Sequence, residues 1–497
     1  MTAAAAAPAR GAQISAAGWG WRHAGRDDWA VEGLDLRIGA GEHVLLLGPS
    51  GAGKSTLLHG IAGLLGGHED GDETGALLVD GARPAQRRDR IGMVLQDPDS
   101  QVILSRVGDD VAFGMENLRV PRGSIWARVR TALARVGLVA PDDHDTSELS
   151  GGQKQRLALA GVIAMEPGLI LLDEPTANLD PAGVREVRDA VAAVADETGA
   201  TLVVIEHRTE IWLPVVDRAV VFGEGGIIAD GPAAATIERE RERLLAAGVW
   251  VPGAPLPRLQ RTRSADDRVV LTASTLAVGY PSATHLPPRF DFEIRRGRTT
   301  VVTGPNGAGK STLALTLGGL IPAAAGELAA SADFAPDPRR PAPATWKSRE
   351  LLTRIGSVFQ DPEHQFLAAT VRDELAIGPR ALKFDDARIA EITDDLLRRL
   401  RLGHLADANP YTLSGGEKRR LSVATVLATA PSLIVLDEPT FGQDRRTWEE
   451  LVRLIAGIVD AGTAVVAVTH DEEFAELLAD DRIELPAWAS AEEVVVR

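Results

Sequence analysis

The chain has 497 residues, and at about 100–200 residues per domain this length calls for roughly two to four domains. Hydrophobic residues at 45% and charged residues at 25% match an ordinary folded protein, which excludes a mostly disordered or fibrous chain. A formal charge of −17 argues against a protein that wraps nucleic acid, since that task needs a basic face for phosphates.

A membrane-spanning helix needs about 20 mostly apolar residues. The uncharged run Val269–Pro288 is broken by Ser, Thr, His and three prolines, so no span is expected. Met1–Ala17 lacks the basic-then-apolar layout of a secretory signal. Residues 1–12 read as a disordered Ala-rich tail. There is no cysteine, which excludes disulfides, thiolate metal sites and cysteine nucleophiles and fits a reducing cytoplasm.

Along the chain, HVLLLG at 43–48 reads as a buried strand, followed by a glycine turn and the helix STLLHGIAGLL. LILLD at 169–173 and TLVVIEH at 201–207 are further buried strands, with a helical pattern, VREVRDAVAAVAD, between them. The alternation predicts an α/β domain with a largely parallel sheet. IERERERLL then reads as a solvated helix that opens a Pro-interrupted linker.

The same series then returns. GPSGAGKST at 48–56 recurs as GPNGAGKST at 304–312, VLQDPDSQ at 94–101 as VFQDPEHQ at 358–365, LSGGQKQRL at 149–157 as LSGGEKRRL at 413–421, and LILLDEPT at 169–176 as LIVLDEPT at 433–440. Gln96 to Ser150 and Gln360 to Ser414 both span 54 residues, and Ser150 to Asp173 and Ser414 to Asp437 both span 23. Equal spacing means duplication of one domain of about 215 residues. The aspartate-to-histidine interval differs by one residue, 34 against 33, and the lysine-to-glutamine interval by eight, 42 against 50; the larger excess is assigned to a surface loop in the Pro-rich stretch Asp333–Thr345. The expected layout is a tail (1–12), domain one (13–236), linker (237–268), domain two (269–486) and a C-terminal tail (487–497).

Gly48, Pro49, Ser50, Gly51, Ala52, Gly53, Lys54, Ser55 and Thr56 form a phosphate loop between a strand and a helix. Its glycines let backbone N–H groups face an anion, and the helix start adds partial positive charge. Lys54 reaches the β and γ phosphates and Ser55 ligates Mg²⁺. Gly304, Pro305, Asn306, Gly307, Ala308, Gly309, Lys310, Ser311 and Thr312 repeat the loop. Asp173 and Asp437 end buried strands, where an unpaired carboxylate is costly, so each needs a cation, read as Mg²⁺. Glu174 and Glu438 follow, placed to polarise an attacking water. Ser150, Gly151 and Gly152, and Ser414, Gly415 and Gly416, begin helices as second anion-binding termini. Gln96 and Gln360 can contact Mg²⁺ or the water, and His207 and His470 can reach a γ-phosphate.

These motifs, in this order, resemble ATP-binding cassette (ABC) ATPases over nearly the whole chain. The resemblance implies an ATPase with two tandem P-loop domains, each an α/β core with a small helical subdomain, using ATP and Mg²⁺. It implies that the two copies pack head to tail within the chain. Lys54, Ser55, Gln96, Asp173, Glu174 and His207 would then be closed by Ser414, Gly415 and Gly416. Lys310, Ser311, Gln360, Asp437, Glu438 and His470 would be closed by Ser150, Gly151 and Gly152. Asp180 and Asp444 match the loop aspartates that communicate across such an interface.

QDPDSQVILSRVGDDVAFGMENL and QDPEHQFLAATVRDELAIGPR, with second glutamines Gln101 and Gln365, resemble the ATPase subunits of energy-coupling factor importers, which take up vitamins or transition-metal ions. That implies a transmembrane coupling subunit, a membrane-embedded substrate-binding subunit, no nucleic-acid partner and a peripheral place on the cytoplasmic face of the membrane. The partner helix would dock just after each glutamine, around Asp97–Val102 and Asp361–Phe366, with Val102 and Phe366 as apolar anchors. Two departures suggest unequal sites. The second copy has FGQD where the first has ANLD, and the adenine-stacking aromatic is Tyr280 in the second copy but His23, with Trp21 nearby, in the first. The alternatives are the ATPase of a sugar-type importer, which often carries one degraded site, and a soluble tandem ATPase acting on ribosomes, which usually has a long charged linker helix. A DNA-repair ATPase would need a coiled-coil insertion, and the constant 54-residue spacing leaves no room for one.

Overall fold

The computed structural model describes residues 11–49, 51–66, 70–176, 179–223, 225–262, 265–279, 289–440 and 442–486. The 1–10 part of the N-terminal tail, the 487–497 tail, Ser50 and Tyr280 lie outside them. The chain divides into two compact units, one of residues 1–255 with Asp444–Arg446, the other of residues 256–443 and 447–497.

In the first unit a six-stranded sheet runs in the order Ile91–Val94, Leu169–Asp173, Thr201–Ile205, His43–Leu47, Arg218–Gly223, Gly226–Pro232. All its pairings are parallel except the last. The three central strands, LILLD, TLVVI and HVLLL, are buried at every position, as expected of parallel strands covered on both faces. A second, antiparallel sheet of Val31–Ile38, Ile14–His23 and Gly71–Val79 packs its Trp19 and Trp21 into the core over one face. Helices Val107–Asn117, Arg122–Arg135 and Gly151–Met165 form the helical part on the other side, built on Val111, Met115, Val129 and Leu157.

The second unit repeats the plan. Its five-stranded parallel sheet runs Ile355–Val358, Leu433–Asp437, Ala464–Val468, Thr299–Thr303, Asp481–Glu484. An antiparallel three-stranded sheet of Phe290–Arg295, Val269–Ala277 and Ala325–Ala330 lies beside it, and helices Val371–Ala381, Asp386–Arg399 and Gly415–Leu427 make the helical part.

Two readings need correction. The segment after the first copy is not a simply solvated helix. Helices Ala233–Arg239 and Arg241–Ala246 bury Ile237 and Leu244 in the first core, followed by buried Val249, Trp250 and Val251. The charges occupy the outer face of an amphipathic pair, a pattern the dense Arg/Glu run concealed. The Asp333–Thr345 insertion is a loop, held down by Phe334, which is buried with its ring 5.7 Å from that of Trp346. Phe366 is also not available as a docking anchor. It is 3% exposed within the helical core and stacks edge-on against Tyr411, while its neighbour Leu367 is 80% exposed.

Candidate functional site

Each cluster forms where the central strands end. In the first unit the loop after His43–Leu47 leads into helix Lys54–Ile61 through Gly53, whose φ is +85°. A Cβ there would come within 2.3 Å of the Ala30 carbonyl, so this turn requires glycine. Gly309 repeats the left-handed geometry with φ +88°. Lys54, 7% exposed, donates from Nζ to the carbonyls of Gly48 (2.9 Å) and Pro49 (2.8 Å), and Lys310 does the same to Gly304 and Pro305 at 3.0 Å. Burial lowers the Lys54 pKa against the pull of Glu174 and Asp173. The lysines are therefore drawn back along the loop, bracketed by its carbonyls and by carboxylates.

Asp173 and Asp437 stand at the ends of Leu169–Asp173 and Leu433–Asp437, 3% and 8% exposed. Ser55 hydrogen-bonds to Asp173, and Ser311 to Asp437. In each aspartate Oδ1 is buried with no hydrogen-bond partner among the described residues. Burial pushes the Asp173 carboxyl up to about 6, helped by Glu174, and burial likewise raises Asp437. A paired hydroxyl and carboxylate with an unused buried oxygen is the hard-oxygen donor set that suits Mg²⁺ completed by phosphate and water. Among the described residues no group of three His, Asp or Glu makes an all-protein metal cage.

Glu174 and Glu438 are the next residues, 8% exposed, and both have a left-handed backbone, φ +48° and +47°. A non-glycine residue held this way costs of order 1–3 kcal/mol and such residues cluster at functional sites. Their N–H groups are tied to the adjacent strand, Glu174 to Ile205 C=O at 3.0 Å and Glu438 to Val468 C=O at 2.8 Å.

The two clusters then diverge. Glu174 accepts from Gln96 Nε2 at 2.9 Å and faces His207 Nε2 at 2.9 Å. Burial opposes its charge, but His207, Lys54 and Gln96 hold its pKa below the ordinary value, and burial of His207 is outweighed by Glu174, so the histidine pKa is raised. In the second unit His470 Nε2 lies 3.8 Å from Glu438 and 3.2 Å from Asn306 Oδ1. Glu438 instead accepts from Thr469 Oγ1 and the His470 N–H, and burial, then Asp437, push it up to about 7. Gln360 is held through its backbone carbonyl by Arg419.

Several residues that shape these sites carry no motif. Glu206, 7% exposed, accepts from the His207 N–H and from Thr176. The second unit has Thr469 at the matching position and places its carboxylate two residues on, at Asp471, bonded to Thr440 and Trp448. Trp250 donates its N–H to the His207 carbonyl at 3.1 Å and accepts from Thr209 Oγ1 at 2.9 Å. Comparing the two copies around each histidine finds the carboxylate exchange in the sequence; nothing local announces Trp250.

Ser150 and Ser414 start helices Gly151–Met165 and Gly415–Leu427. Both are exposed, and the glycines that follow are exposed at Gly415 and half-buried at Gly151, Gly152 and Gly416. Ser150 N–H donates to Gln153 and Ser414 N–H to Glu417, so these bonds stay within the helix and leave the termini facing outward. Gln101 and Gln365 fold back on their own strands: Oε1 accepts from Leu95 and Phe359 N–H, and Nε2 donates to Met93 and Ser357 C=O. They therefore shape the loop after Gln96 and Gln360. His23 is exposed, with Nε2 3.4 Å from Thr56 Oγ1, beside the phosphate loop; Trp21 is 1% exposed and belongs to the core.

The charge states of the two glutamates predict opposite pH effects. A carboxyl whose folded pKa is raised contributes stability below its ordinary value of 4.5 and loses it as pH rises through about 7. Glu438→Gln should therefore raise the unfolding free energy of its unit at pH 8, by up to about 3 kcal/mol, and with it the midpoint, the gain shrinking toward pH 5. Glu174 is held below its ordinary value, so its contribution is present at pH 8, and Glu174→Gln should lower the midpoint there. Calorimetry of both variants at pH 5 and 8 checks this; shifts of the same sign would contradict it.

The model of the family described as ABC transporter matches residues 31–177 and 288–441. A Bacillus subtilis (strain 168) protein, YkoD, named for HMP/thiamine import ATP binding, is 36% identical over 477 residues, 90% of this chain and 85% of its own. A Bifidobacterium longum (strain NCC 2705) protein named as an ABC transporter ATP-binding protein is 35% identical over 503 residues, and the chain spans 64% of its length. A structure described as ribosome-bound archaeal Pelota and ABCE1 shares the tandem fold, with TM-score 0.65 and 20% identity over 94% of this chain and 76% of that one. Two phosphate loops, two strand-end Asp-Glu pairs and matches of the family model in both halves place this chain in the ABC transporter family, as an ATPase with tandem ABC domains.

Proposed function

We propose that the chain is the ATP-hydrolysing subunit of an energy-coupling factor type importer, bound to the cytoplasmic face of the membrane through separate transmembrane subunits. The observation that carries the catalytic part is the buried, unpartnered Oδ1 of Asp173 and of Asp437, each beside a P-loop serine and lysine. The import reading rests on the HMP/thiamine name of the relative and on the paired QDPxxQ segments. Vitamin or transition-metal cargo belongs to the same reading. Among the described residues no helix is long and apolar enough to cross a membrane, so transport needs a partner that does. The domains are read as 13–236 and 269–486, joined by 237–268.

Lys54, Ser55 and Asp173, and Lys310, Ser311 and Asp437, would hold Mg²⁺ and the β and γ phosphates. The metal supplies charge neutralisation on the transferring phosphoryl group. Glu174 and Glu438 orient the attacking water and take its proton; Glu174 is kept ionised for that task by His207 and Gln96. The exposed helix starts at Ser150 and Ser414 suit phosphate oxygens of the opposite copy's nucleotide. Glu174→Gln with Glu438→Gln should cut steady-state hydrolysis by about 10²-fold or more while ATP still binds. Near-normal hydrolysis by that double variant would defeat the assignment.

The head-to-tail pairing makes a separate prediction. Ser414→Arg and Lys54→Ala should be strongly non-additive, because both damage one composite site. Lys54→Ala with Ser150→Arg damages both sites and should leave less activity. Equal residual activity in the two double variants would count against the pairing.

The docking surface is proposed next to Gln96 and Gln360, with Ile103 and Leu367 as its apolar contacts, 61% and 80% exposed. Ile103→Asp with Leu367→Asp should weaken co-purification with the transmembrane subunit and leave nucleotide binding within about twofold, since truncating interface anchors costs association alone. An intact complex with full uptake would place the docking surface elsewhere.

A further inference from the structure

Helices Gly151–Met165 and Gly415–Leu427, the signature helices that start at Ser150 and Ser414, differ at the fifth residue after the serine. In the first unit this is Gln155, 1% exposed, with both amide atoms buried and without a hydrogen-bond partner among the described residues. In the second it is Arg419, 3% exposed. Its Nη1 donates to the Phe359 carbonyl at 2.7 Å and its Nη2 to the Gln360 carbonyl at 2.5 Å. Asp437, Glu438 and Asp361 surround it electrostatically.

A buried guanidinium is costly unless paired and hydrogen-bonded. Here two carbonyls of one loop and nearby carboxylates meet that need, and the fork geometry of arginine suits two adjacent acceptors. A second tie between the same helix and loop, Lys418 to Glu363, has its counterpart in the first unit as Lys154 to Asp99. The lysine tie is therefore common to both copies and the arginine tie is the difference. In the first unit Gln96 is fixed by its own side chain, on Glu174.

We propose that Arg419 is a positioning residue of the second half-site: its guanidinium clamps the backbone at Phe359–Gln360 to the signature helix and so sets where Gln360 stands relative to Asp437 and Glu438. The first half-site dispenses with this clamp, carrying neutral Gln155 and a direct Gln96–Glu174 bond. This rests on the reading of Gln360 and Glu438 as groups that act on bound ATP. The two copies are then unequal in mechanics while both retain the lysine, aspartate and glutamate. Movement of the second signature helix is transmitted to the segment that follows Gln360 through the arginine as well as the lysine, and the first signature helix lacks the arginine tie.

The test uses the full chain and the variants Arg419→Gln, Arg419→Lys and Glu438→Gln, each made in the Glu174→Gln background so that turnover reports the second site. Arg419→Gln places in the second copy the residue that the first already accommodates. Its kcat for ATP should fall by about fivefold or more with KM within about twofold, the pattern of a group that acts on positioning and not on ground-state binding. Amide hydrogen exchange should quicken in residues 359–366 and stay unchanged in 95–102. Arg419→Lys, which keeps charge but loses the fork, should recover part of kcat. Unchanged kcat and unchanged exchange in Arg419→Gln, with Glu438→Gln inactive, would overturn the clamp alone. Faster exchange throughout the second unit, with Arg419→Lys no better than Arg419→Gln, would make Arg419 a structural residue and overturn it too. Normal turnover by Glu438→Gln would instead remove the reading beneath it.

Discussion

Two adjacent carboxylates are buried at the end of an apolar strand, and this happens twice. Leu169–Leu172 and Leu433–Leu436 are inaccessible to water, and the chain then places Asp173–Glu174 and Asp437–Glu438 at the strand ends, each residue less than a tenth exposed. Burying like charges together is unfavourable, and the surrounding structure answers it. Lys54 and Lys310 approach from the phosphate loops, Ser55 and Ser311 hydrogen-bond the aspartates, and His207 pairs with Glu174. What is left over is one unpartnered oxygen on each aspartate, and the raised aspartate pKa values express the same deficit. A divalent cation carrying nucleotide phosphates would remove that deficit.

The local backbone follows from this arrangement. Glu174 and Glu438 hold left-handed conformations that glycine would adopt without strain. The strain is sustained because the neighbouring strand captures each N–H and because the parallel sheet beneath is fully buried. The rigid sheet fixes the carboxylates, while the helical parts carry Ser150 and Ser414 on exposed helix starts. The copies differ around the glutamate: histidine and glutamine side chains at close range in the first, the Thr469 hydroxyl and the His470 N–H in the second.

The tandem α/β fold was legible in the sequence because its determinants are local. Continuous apolar runs such as HVLLL and LILLD read as parallel strands, and the repeat at constant spacing exposed the duplication. The positions of Lys54, Ser55, Asp173 and Glu174 were legible for the same reason, since strand–turn–helix punctuation fixes where each stands. Features that depend on contacts between distant segments were not. Phe366 looked like an exposed anchor until the helical core was seen to close over it, and the dense charges of 237–243 hid buried Ile237 and Leu244. Trp250 reaches the His207 carbonyl across 43 residues of sequence, a backbone bond that no side-chain pattern encodes. The Gln155–Arg419 exchange was visible as letters, but its meaning required knowing that both side chains point inward.

Two Mg²⁺–nucleotide sites per chain, each organised by its strand-end aspartate, are central to the proposed function. Calorimetric titration of the full chain with a non-hydrolysable ATP analogue, with and without Mg²⁺, measures this directly. The account predicts two equivalents bound in the presence of Mg²⁺, and loss of one Mg²⁺-dependent equivalent in each of Asp173→Ala and Asp437→Ala. A single equivalent in the unaltered chain, or Mg²⁺-dependent binding that survives both substitutions together, would contradict it.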